Sequence, residues 1–144
     1  MTYIPDRARG RMEQAFQRNF DSLEEIFAFT ESFFDRESIG AGHRHDANFA
    51  IEELFTNMVK YNRIGKSEIC LSLTHAGDKL LVSLTDPESE PFDVTKVPPV
   101  EIQRPIHERE PGGLGIHLTR KVVDSIDYLH RDGCTTITFS KNLR

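Results

Sequence analysis

The clearest hydrophobic pattern in the sequence lies in its central segment, where apolar residues recur at steps of three and four. These residues are Ala47, Ala50, Ile51, Leu54, Phe55, Met58 and Val59. The spacing places their side chains on one face of an α-helix. It predicts a helix that begins after Asp46, a residue that can cap it, and ends near Tyr61–Asn62.

A second helical pattern precedes this one along the chain. Ser22 is followed three residues later by Glu25, a combination typical of a capping box, and a broad apolar face continues to Phe34. The pattern predicts a helix from about residue 22 to residue 35. The segment "ESIGAGHRH", which contains two glycines, is expected to connect the two helices.

Alternating apolar and polar residues predict two β-hairpins. In "SEICLSLTHAGDKLLVSLTD" (67–86), two alternating runs flank a turn at "AGD" (76–78). Near the C-terminus, "DG" (132–133) is a strong signal for a two-residue turn. It is expected to join strands near 126–130 and 134–140.

A long segment separates the two hairpins. Residues 87–111 are rich in proline and glutamate and show no sustained period. A loop of this length in a compact domain is usually functional or mobile. A helix is predicted to follow in "GIHLTRKVVDSI" (115–126). Its positions expected to be buried are Ile116, Leu118, Val122 and Val123.

Three glycines stand at the start of this helix: Gly112, Gly113 and Gly115. Such a cluster is expected where the backbone needs unusual angles or approaches another group closely. Two interpretations remain open. The segment is either a flexible loop that happens to precede a helix, or a loop that holds phosphates against the positive end of the helix. It lacks the signatures of a P-loop and of a Rossmann fold.

The predicted order of elements is strand, helix, helix, hairpin, long loop, helix, hairpin, with a weak first strand at 12–20. Because hairpins produce antiparallel neighbours, we expect a mixed, mostly antiparallel sheet with three helices on one face. This is a two-layer α/β sandwich of the α+β class. Residues 1–144 are expected to form a single domain, with residues 1–10 as a loose N-terminal arm.

Charge and composition narrow the range of partners. The formal net charge of −5 and the lack of a basic stripe argue against direct nucleic-acid binding. No apolar stretch approaches the ~20 residues that span a bilayer, and the N-terminus lacks the apolar region of a signal peptide. We therefore expect a cytoplasmic protein without membrane contact. Cys70 and Cys134 are expected to be small buried hydrophobic residues rather than a disulfide.

Two groups of polar residues are candidates for chemistry. Glu53 and Asn57 are four residues apart on the central helix and therefore share a face. They are either a solvated helix pair, or a general base and an oxygen ligand for Mg²⁺. Asp86 ends a predicted strand, where it is either a turn residue or an acceptor for an amine at the floor of a pocket.

The order of these features resembles the ATP-binding domain shared by gyrases, Hsp90-type chaperones, histidine kinases and mismatch-repair ATPases. More narrowly, it resembles the small stand-alone anti-sigma factor serine kinases. "AIEELFTNMVKY" resembles their N box, and "LVSLTDPESEPFD" resembles their first glycine box. "PGGLGIHLTRKVVDSI" resembles the second glycine box with its helix, and "DGCTTITFSK" resembles the terminal strand. The resemblance implies the histidine kinase-like ATPase fold.

The resemblance assigns the cofactors ATP and Mg²⁺ and the central roles of the site. Asn57 would bind the Mg²⁺ that bridges the phosphates, and Glu53 would orient or deprotonate the attacking hydroxyl group. Asp86 would accept a hydrogen bond from the amino group of adenine. Each role is an expectation that the resemblance supplies.

The resemblance also implies further contacts with the nucleotide. The glycines that would line the phosphates are Gly112, Gly113 and Gly115. Thr135 or Thr136 would support the contact with adenine, and Lys60 and Arg109 would contact phosphates.

One departure from the family pattern concerns Glu88, which stands where the family usually has glycine, and an extra residue precedes Pro91-Phe92. A glutamate near the nucleotide would crowd it and repel its charge. Alternatively, the loop bulges and turns Glu88 outward. Both possibilities remain open from the sequence.

The leading hypothesis is an ATP-dependent serine kinase that phosphorylates an antagonist protein, sequesters a sigma factor and forms a homodimer. The chemistry would be γ-phosphoryl transfer, which depends on positioning and charge neutralisation. An alternative from another class is a non-catalytic module of the same fold that binds a nucleotide, or none, and regulates by contact. A third is simple ATP hydrolysis, in which water replaces the serine.

Overall fold

The computed structural model describes residues 10–61, 65–88 and 113–144. Its five strands form one sheet in the order β1-β2-β3-β5-β4. The strands are β1 (Arg11–Phe16), β2 (Ile69–Ala76), β3 (Lys79–Asp86), β4 (Ser125–Arg131) and β5 (Cys134–Asn142). The helices are α1 (Leu23–Glu37), α2 (Ala41–Tyr61) and α3 (Gly113–Val122), and a 3₁₀ turn at Phe20–Ser22 precedes α1.

The apolar residues of the strands alternate, and one face of the sheet packs against the helices. Leu80, Val82 and Leu84 of β3 are fully buried, and they join the core that contains Phe33 of α1 and Phe55 of α2. This arrangement confirms the two-layer α/β sandwich. All pairings among the described strands are antiparallel, so the sheet is not mixed.

Both predicted hairpins are confirmed. Gly77 has φ of +61° in the β2–β3 turn, and Asp132 and Gly133 have φ of +55° and +79° in the β4–β5 turn. Two consecutive positive φ angles are typical of the primed turns that match strand twist. In the sheet, β5 lies between β3 and β4. Because β3 and β5 are antiparallel, the start of β5 lies beside the end of β3.

The start of α1 differs from the predicted capping box. Ser22 has helical backbone angles and makes no side-chain capping bond, and its hydroxyl donates to the Gln17 carbonyl at 2.8 Å. Asn19 performs the capping role one 3₁₀ turn earlier, because its side-chain oxygen accepts from the Ser22 amide at 3.1 Å. The sequence pattern located the helix but not its cap.

Helix α2 begins at Ala41, so the prediction that Asp46 caps it is wrong. Asp46 lies inside the helix and forms an ion pair of 2.8 Å with Lys141 of β5. Arg44 links the start of α2 to the end of α1, because its side chain donates to the carbonyls of Ile39 and Phe34. The predicted end near residue 61 agrees with the structure.

Two predictions about burial are also corrected. Leu118 of α3 is 38% exposed, and Thr119 takes the buried position beside it, whereas Val123 is buried as expected. Cys70 and Cys134 are free thiols, but neither is fully buried. Cys70 lies on the face of the sheet that the helices leave uncovered, which the alternation of β2 dictates.

Two further predictions concern residues that the structure describes only in part. Val122 is partly buried against the core, and the side chain of Ile116 lies outside the described part of the chain. Most of the predicted N-terminal arm and of the long loop before α3 likewise lies outside the described residues.

Candidate functional site

The first polar group of the candidate site lies on α2 and is built around Asn57. Its side chain is only 1% exposed, and its amide nitrogen donates to the Glu53 carboxylate and to the Glu53 carbonyl, each at 2.6 Å. The spacing of four residues along the helix brings the two side chains together. Because both neighbours are acceptors, the amide nitrogen must face them.

This orientation leaves the amide oxygen of Asn57 buried and without a hydrogen-bond partner among the described residues. An unsatisfied buried acceptor costs about 1–3 kcal/mol. A side-chain oxygen of this kind is a ligand that Mg²⁺ accepts, and Mg²⁺ takes few ligands from the protein itself. The side chain of Asn57 therefore fits a role as a magnesium ligand.

Glu53 is half-buried, and burial raises the pKa of its carboxyl group. The hydrogen bond from Asn57 and the charge of Lys60 oppose this shift. A carboxylate with a raised pKa is a better proton acceptor than a free glutamate. Lys60 lies about two turns further along α2 than Glu53 and is half-buried.

The second polar group lies at the end of β3, where Asp86 continues the buried, helix-facing row of that strand. Asp86 is 1% exposed, and Thr135 of β5 is its partner across the ladder. Helix α2 packs against β3, so the buried row that ends at Asp86 faces the layer that contains α2. A carboxylate in such a position needs a compensating partner.

Arg18 supplies that partner. Its guanidinium donates to both oxygens of Asp86, from Nη1 at 2.8 Å and from Nη2 at 2.5 Å, and the two side chains are 2% and 1% exposed. The bond to Asp86 raises the pKa of Arg18 above its already high usual value, so the guanidinium stays charged. Sequence reasoning missed Arg18. The feature that could have identified Arg18 is that it is the one charged residue between Phe16 and Phe20, in a segment predicted to be a strand.

Glu88 belongs to the same group. Its backbone amide donates to Asp86 at 3.0 Å, while its own exposed carboxylate accepts from the amides of Lys66 and Ser67, each at 2.9 Å. These two backbone bonds lower the pKa of Glu88. Glu88 is thus turned outward, onto the segment that precedes β2, which is the second of the alternatives that the sequence left open.

The structure separates the two threonines that were candidates for the adenine contact. Thr135 is buried on the face of Asp86, and its hydroxyl lies 2.8 Å from Nδ1 of His130. Thr136 points to the opposite face, where its hydroxyl lies 3.3 Å from that of Thr85. Of the two, only Thr135 lies on the same face as Asp86.

The remaining candidates belong to the segment before α3. Gly113 and Gly115 lie in the first turn of α3. Gly112 and Arg109 lie outside the described residues. The first amides of a helix lack partners within it and can bind anions, which suits the predicted role of the two described glycines.

The described residues contain no cluster of three or more His, Cys, Asp or Glu side chains that could hold a metal ion. Nor does any described helix combine the length and apolar character that a membrane span requires. A magnesium site on α2 would therefore depend on Asn57 together with ligands from a bound nucleotide and water.

Comparison with known proteins shows that a family model matches the part of the chain that contains these groups. The family described as "Histidine kinase-like ATPase domain" matches residues 16–141, which is most of the chain. The match begins at the last residue of β1 and continues through nearly all of β5. It therefore includes Arg18 and every candidate residue discussed above.

Among curated proteins, the chain is similar to the serine-protein kinase RsbW of Bacillus cereus (strain AH187). The two are 29% identical over 99 residues, which cover 64% of this chain and 60% of the relative. The matched stretch thus spans less than two thirds of the relative's length.

Two solved structures share the fold. The RsbU and RsbW domains of Rv1364c from Mycobacterium tuberculosis match 92% of this chain and 32% of that chain, with a TM-score of 0.68 and 15% identity. The SiaB–SiaC complex from Pseudomonas aeruginosa matches 95% of this chain and 91% of that chain, with a TM-score of 0.63 and 13% identity. Both similarities concern the fold alone.

Proposed function

The chain belongs to the histidine kinase-like ATPase domain family, and we propose on this basis that it is an ATP- and Mg²⁺-dependent serine kinase that acts on a protein partner. The observation that carries the proposal is the pair on α2. Asn57 keeps a buried oxygen unpaired while its nitrogen holds Glu53, whose carboxyl pKa burial raises. An oxygen ligand and a base side by side are the groups that phosphoryl transfer requires.

Each residue has a defined role in the proposed reaction. Asn57 would hold the magnesium ion, which when bound neutralises phosphate charge. Glu53 accepts the hydroxyl proton of the substrate serine while the serine oxygen attacks the γ-phosphorus. The new P–O bond forms, the bond to the β-phosphate oxygen breaks, and ADP leaves with that electron pair.

The other candidates bind the nucleotide in this proposal. Lys60, Gly113 and Gly115, together with Arg109 and Gly112 from outside the described residues, would contact phosphates. Asp86, supported by Thr135, would contact the base. These assignments follow from the family resemblance and from the positions of the described residues.

The partners are proposed from the relatives. The matched relatives are named serine-protein kinases, and one structural neighbour is a complex of SiaB with SiaC. We infer that this chain phosphorylates a serine on a small antagonist protein, binds a sigma factor in competition with that antagonist, and works as a homodimer in the cytoplasm.

The direct test is transfer of radiolabelled phosphate from ATP to candidate antagonist proteins. Glu53→Gln is expected to lower the transfer rate about 10²–10⁴-fold, the usual contribution of a general base. Glu52→Gln is the matched control, since Glu52 is the exposed neighbour on the same helix. Transfer that Glu53→Gln leaves unchanged would remove Glu53 from its role.

A second candidate function is a nucleotide-binding regulator without catalysis. The observation that favours it is the Arg18–Asp86 pair, which already occupies the carboxylate proposed to read the base. Under this alternative, Mg-ATP at about 100 times its Kd still stabilises the protein by about 2.7 kcal/mol, but no acceptor protein is phosphorylated. Thermal unfolding and phosphate transfer measured on one preparation separate the two functions.

A further inference from the structure

The carboxylate of Asp86 is almost saturated with hydrogen bonds from the protein itself. Oδ2 accepts from Arg18 at 2.8 Å, and Oδ1 accepts from Arg18 at 2.5 Å and from the amide of Glu88 at 3.0 Å. A carboxylate has about four lone-pair sites, so three of them are used. Both side chains are excluded from solvent, so water does not compete for these bonds.

An adenine amino group that approaches Asp86 therefore meets a stronger competitor. Hydrogen bonds between two charged groups are roughly twice as strong as those between neutral groups, and a bidentate guanidinium adds geometric fit. The amine of adenine is neutral and donates one hydrogen bond to such a carboxylate. One lone-pair site of Asp86 remains, on Oδ2, but a bond there is weak because Arg18 already neutralises the carboxylate. Adenine meets the full charge of Asp86 only when Arg18 gives up at least one of its two bonds.

We propose that Arg18 determines the base selectivity of this site by competing with the exocyclic amine of the base for Asp86; this inference rests on the proposed nucleotide-binding function. In the native protein the amine adds little to affinity. A nucleotide whose base carries a carbonyl in place of the amine therefore binds about as well as ATP.

The surroundings of Arg18 support its role as a competitor that can be displaced. Its Nε is buried and has no hydrogen-bond partner among the described residues, so only two of its three donor atoms are used. Glu88 lies near enough to interact electrostatically with the guanidinium. The amides of Lys66 and Ser67 hold the Glu88 carboxylate outward, so Glu88 offers Arg18 a nearby negative charge and not a free acceptor.

The backbone that carries Arg18 is itself held in place. The Asn19 side chain accepts from the Ser22 amide, and the Ser22 hydroxyl donates to the Gln17 carbonyl. The turn therefore fixes the backbone position of Arg18. A bound base would displace only the side chain of Arg18 and not its backbone. Arg18 and Glu88 together distinguish this end of the site from one that presents a free carboxylate.

The test compares binding of Mg-ATP and Mg-ITP by calorimetry at pH 8, because inosine carries a carbonyl where adenine carries the amine. The native protein is expected to bind the two within about threefold of each other, and Arg18→Met is expected to favour ATP by at least about tenfold, because an unoccupied carboxylate discriminates for the amine. Arg11→Met, in an exposed position on β1, is the control and should keep the native ratio.

Arg18→Lys is the second variant, in case the methionine variant does not fold. Lysine keeps the charge but lacks the planar fork, so its preference for ATP should lie between those of the native protein and Arg18→Met. The inference is overturned if the native protein prefers ATP by about tenfold or more. It is also overturned if the Arg18 variants that fold have the same ratio of ATP to ITP affinity as the native protein. The absence of any nucleotide binding in all these proteins counts instead against the proposed function.

Discussion

The polar groups on α2 and at the end of β3 are both buried, but they differ in how far the protein satisfies them. On α2, Asn57 uses its nitrogen twice and leaves its oxygen unpaired. At the end of β3, both oxygens of Asp86 accept from Arg18. One group lacks a partner that a ligand can supply, and the other has a partner that a ligand must displace.

This difference shows that burial alone does not make a binding residue. An unpaired acceptor lowers the stability of the free protein, so a cation or donor that reaches it gains affinity. A paired charge stabilises the free protein relative to the loss of either partner, so a ligand that uses it loses affinity. Substitution by leucine should therefore lower stability much more at Asp86 than at Asn57.

The largest effect is expected from Asp86→Leu. This change leaves the charge of Arg18 buried and unpaired, which is expected to lower the free energy of unfolding by about 3–5 kcal/mol. Urea denaturation measures it. Combining Asp86→Leu with Arg18→Met should recover most of the loss, because both charges are then removed. A cost below about 1 kcal/mol for the single change would mean that the pair is not buried as described.

The next effect concerns Asn57→Leu, the matched change on α2. Mg-ATP at about 100 times its native Kd is expected to stabilise the native protein by about 2.7 kcal/mol and the variant hardly at all, because the oxygen ligand is lost. Thermal unfolding with and without Mg-ATP measures the difference. A native-sized shift in the variant would exclude Asn57 as a ligand.

A smaller effect is expected for Asn57→Leu without nucleotide. The variant loses both bonds to Glu53, but it also loses the buried acceptor that lacks a partner, so the free energy of unfolding should change by no more than about 1 kcal/mol. Urea denaturation of Asn57→Leu and Asp86→Leu under the same conditions compares their free energies of unfolding directly. Equal large losses at both positions would contradict the proposed difference between the two groups.

The pH dependence of Glu53 sharpens the comparison further. Burial raises the folded-state pKa of Glu53 above its unfolded value. Its contribution to stability is therefore complete below the unfolded pKa and is lost as pH rises through the folded pKa. Relative to Glu53→Gln, the native protein should lose stability as pH rises above about 4, the ordinary pKa of a glutamate. Denaturation midpoints of the native protein and of Glu53→Gln at several pH values measure this loss. A stability difference that shifts in favour of the native protein as pH rises would refute it.

Glu88 should change stability with pH in the opposite direction from Glu53. The effect should be the smallest of those predicted, because Glu88 is exposed. Backbone amides lower the folded-state pKa of Glu88. Its contribution is present above the unfolded pKa and is lost as pH falls through the folded pKa. The native protein should therefore lose its advantage over Glu88→Gln on acidification. Unfolding measured at several acidic pH values tests this, with Glu53→Gln as the contrasting variant.

Some of the site follows from local spacing. Glu53 and Asn57 meet because residues four apart on a helix are neighbours, and the apolar period of α2 is strong enough to predict that helix. The turn at Asp132 and Gly133 has the positive φ angles that its sequence favours. These features depend only on residues close together in the chain.

Other features do not follow from local spacing. Asn19, rather than Ser22, caps the first turn before α1, and the hydroxyl of Ser22 donates to the Gln17 carbonyl instead. Asp46 pairs with Lys141 across the layers instead of capping α2. The local signals named Ser22 and Asp46 as caps, and in the folded chain both side chains take other partners.

Local patterns are enough to predict the α2 helix, the two hairpins, the side-by-side placement of Glu53 and Asn57, and a carboxylate at the end of β3. Each depends on hydrophobic period or turn chemistry over a few residues. The contact of Asp86 with Arg18, which is 68 residues away along the chain, forms only when the chain folds. That pairing depends on how β1 and β3 are held in one sheet with β2 between them, and burial then forces the carboxylate to take the nearest cation.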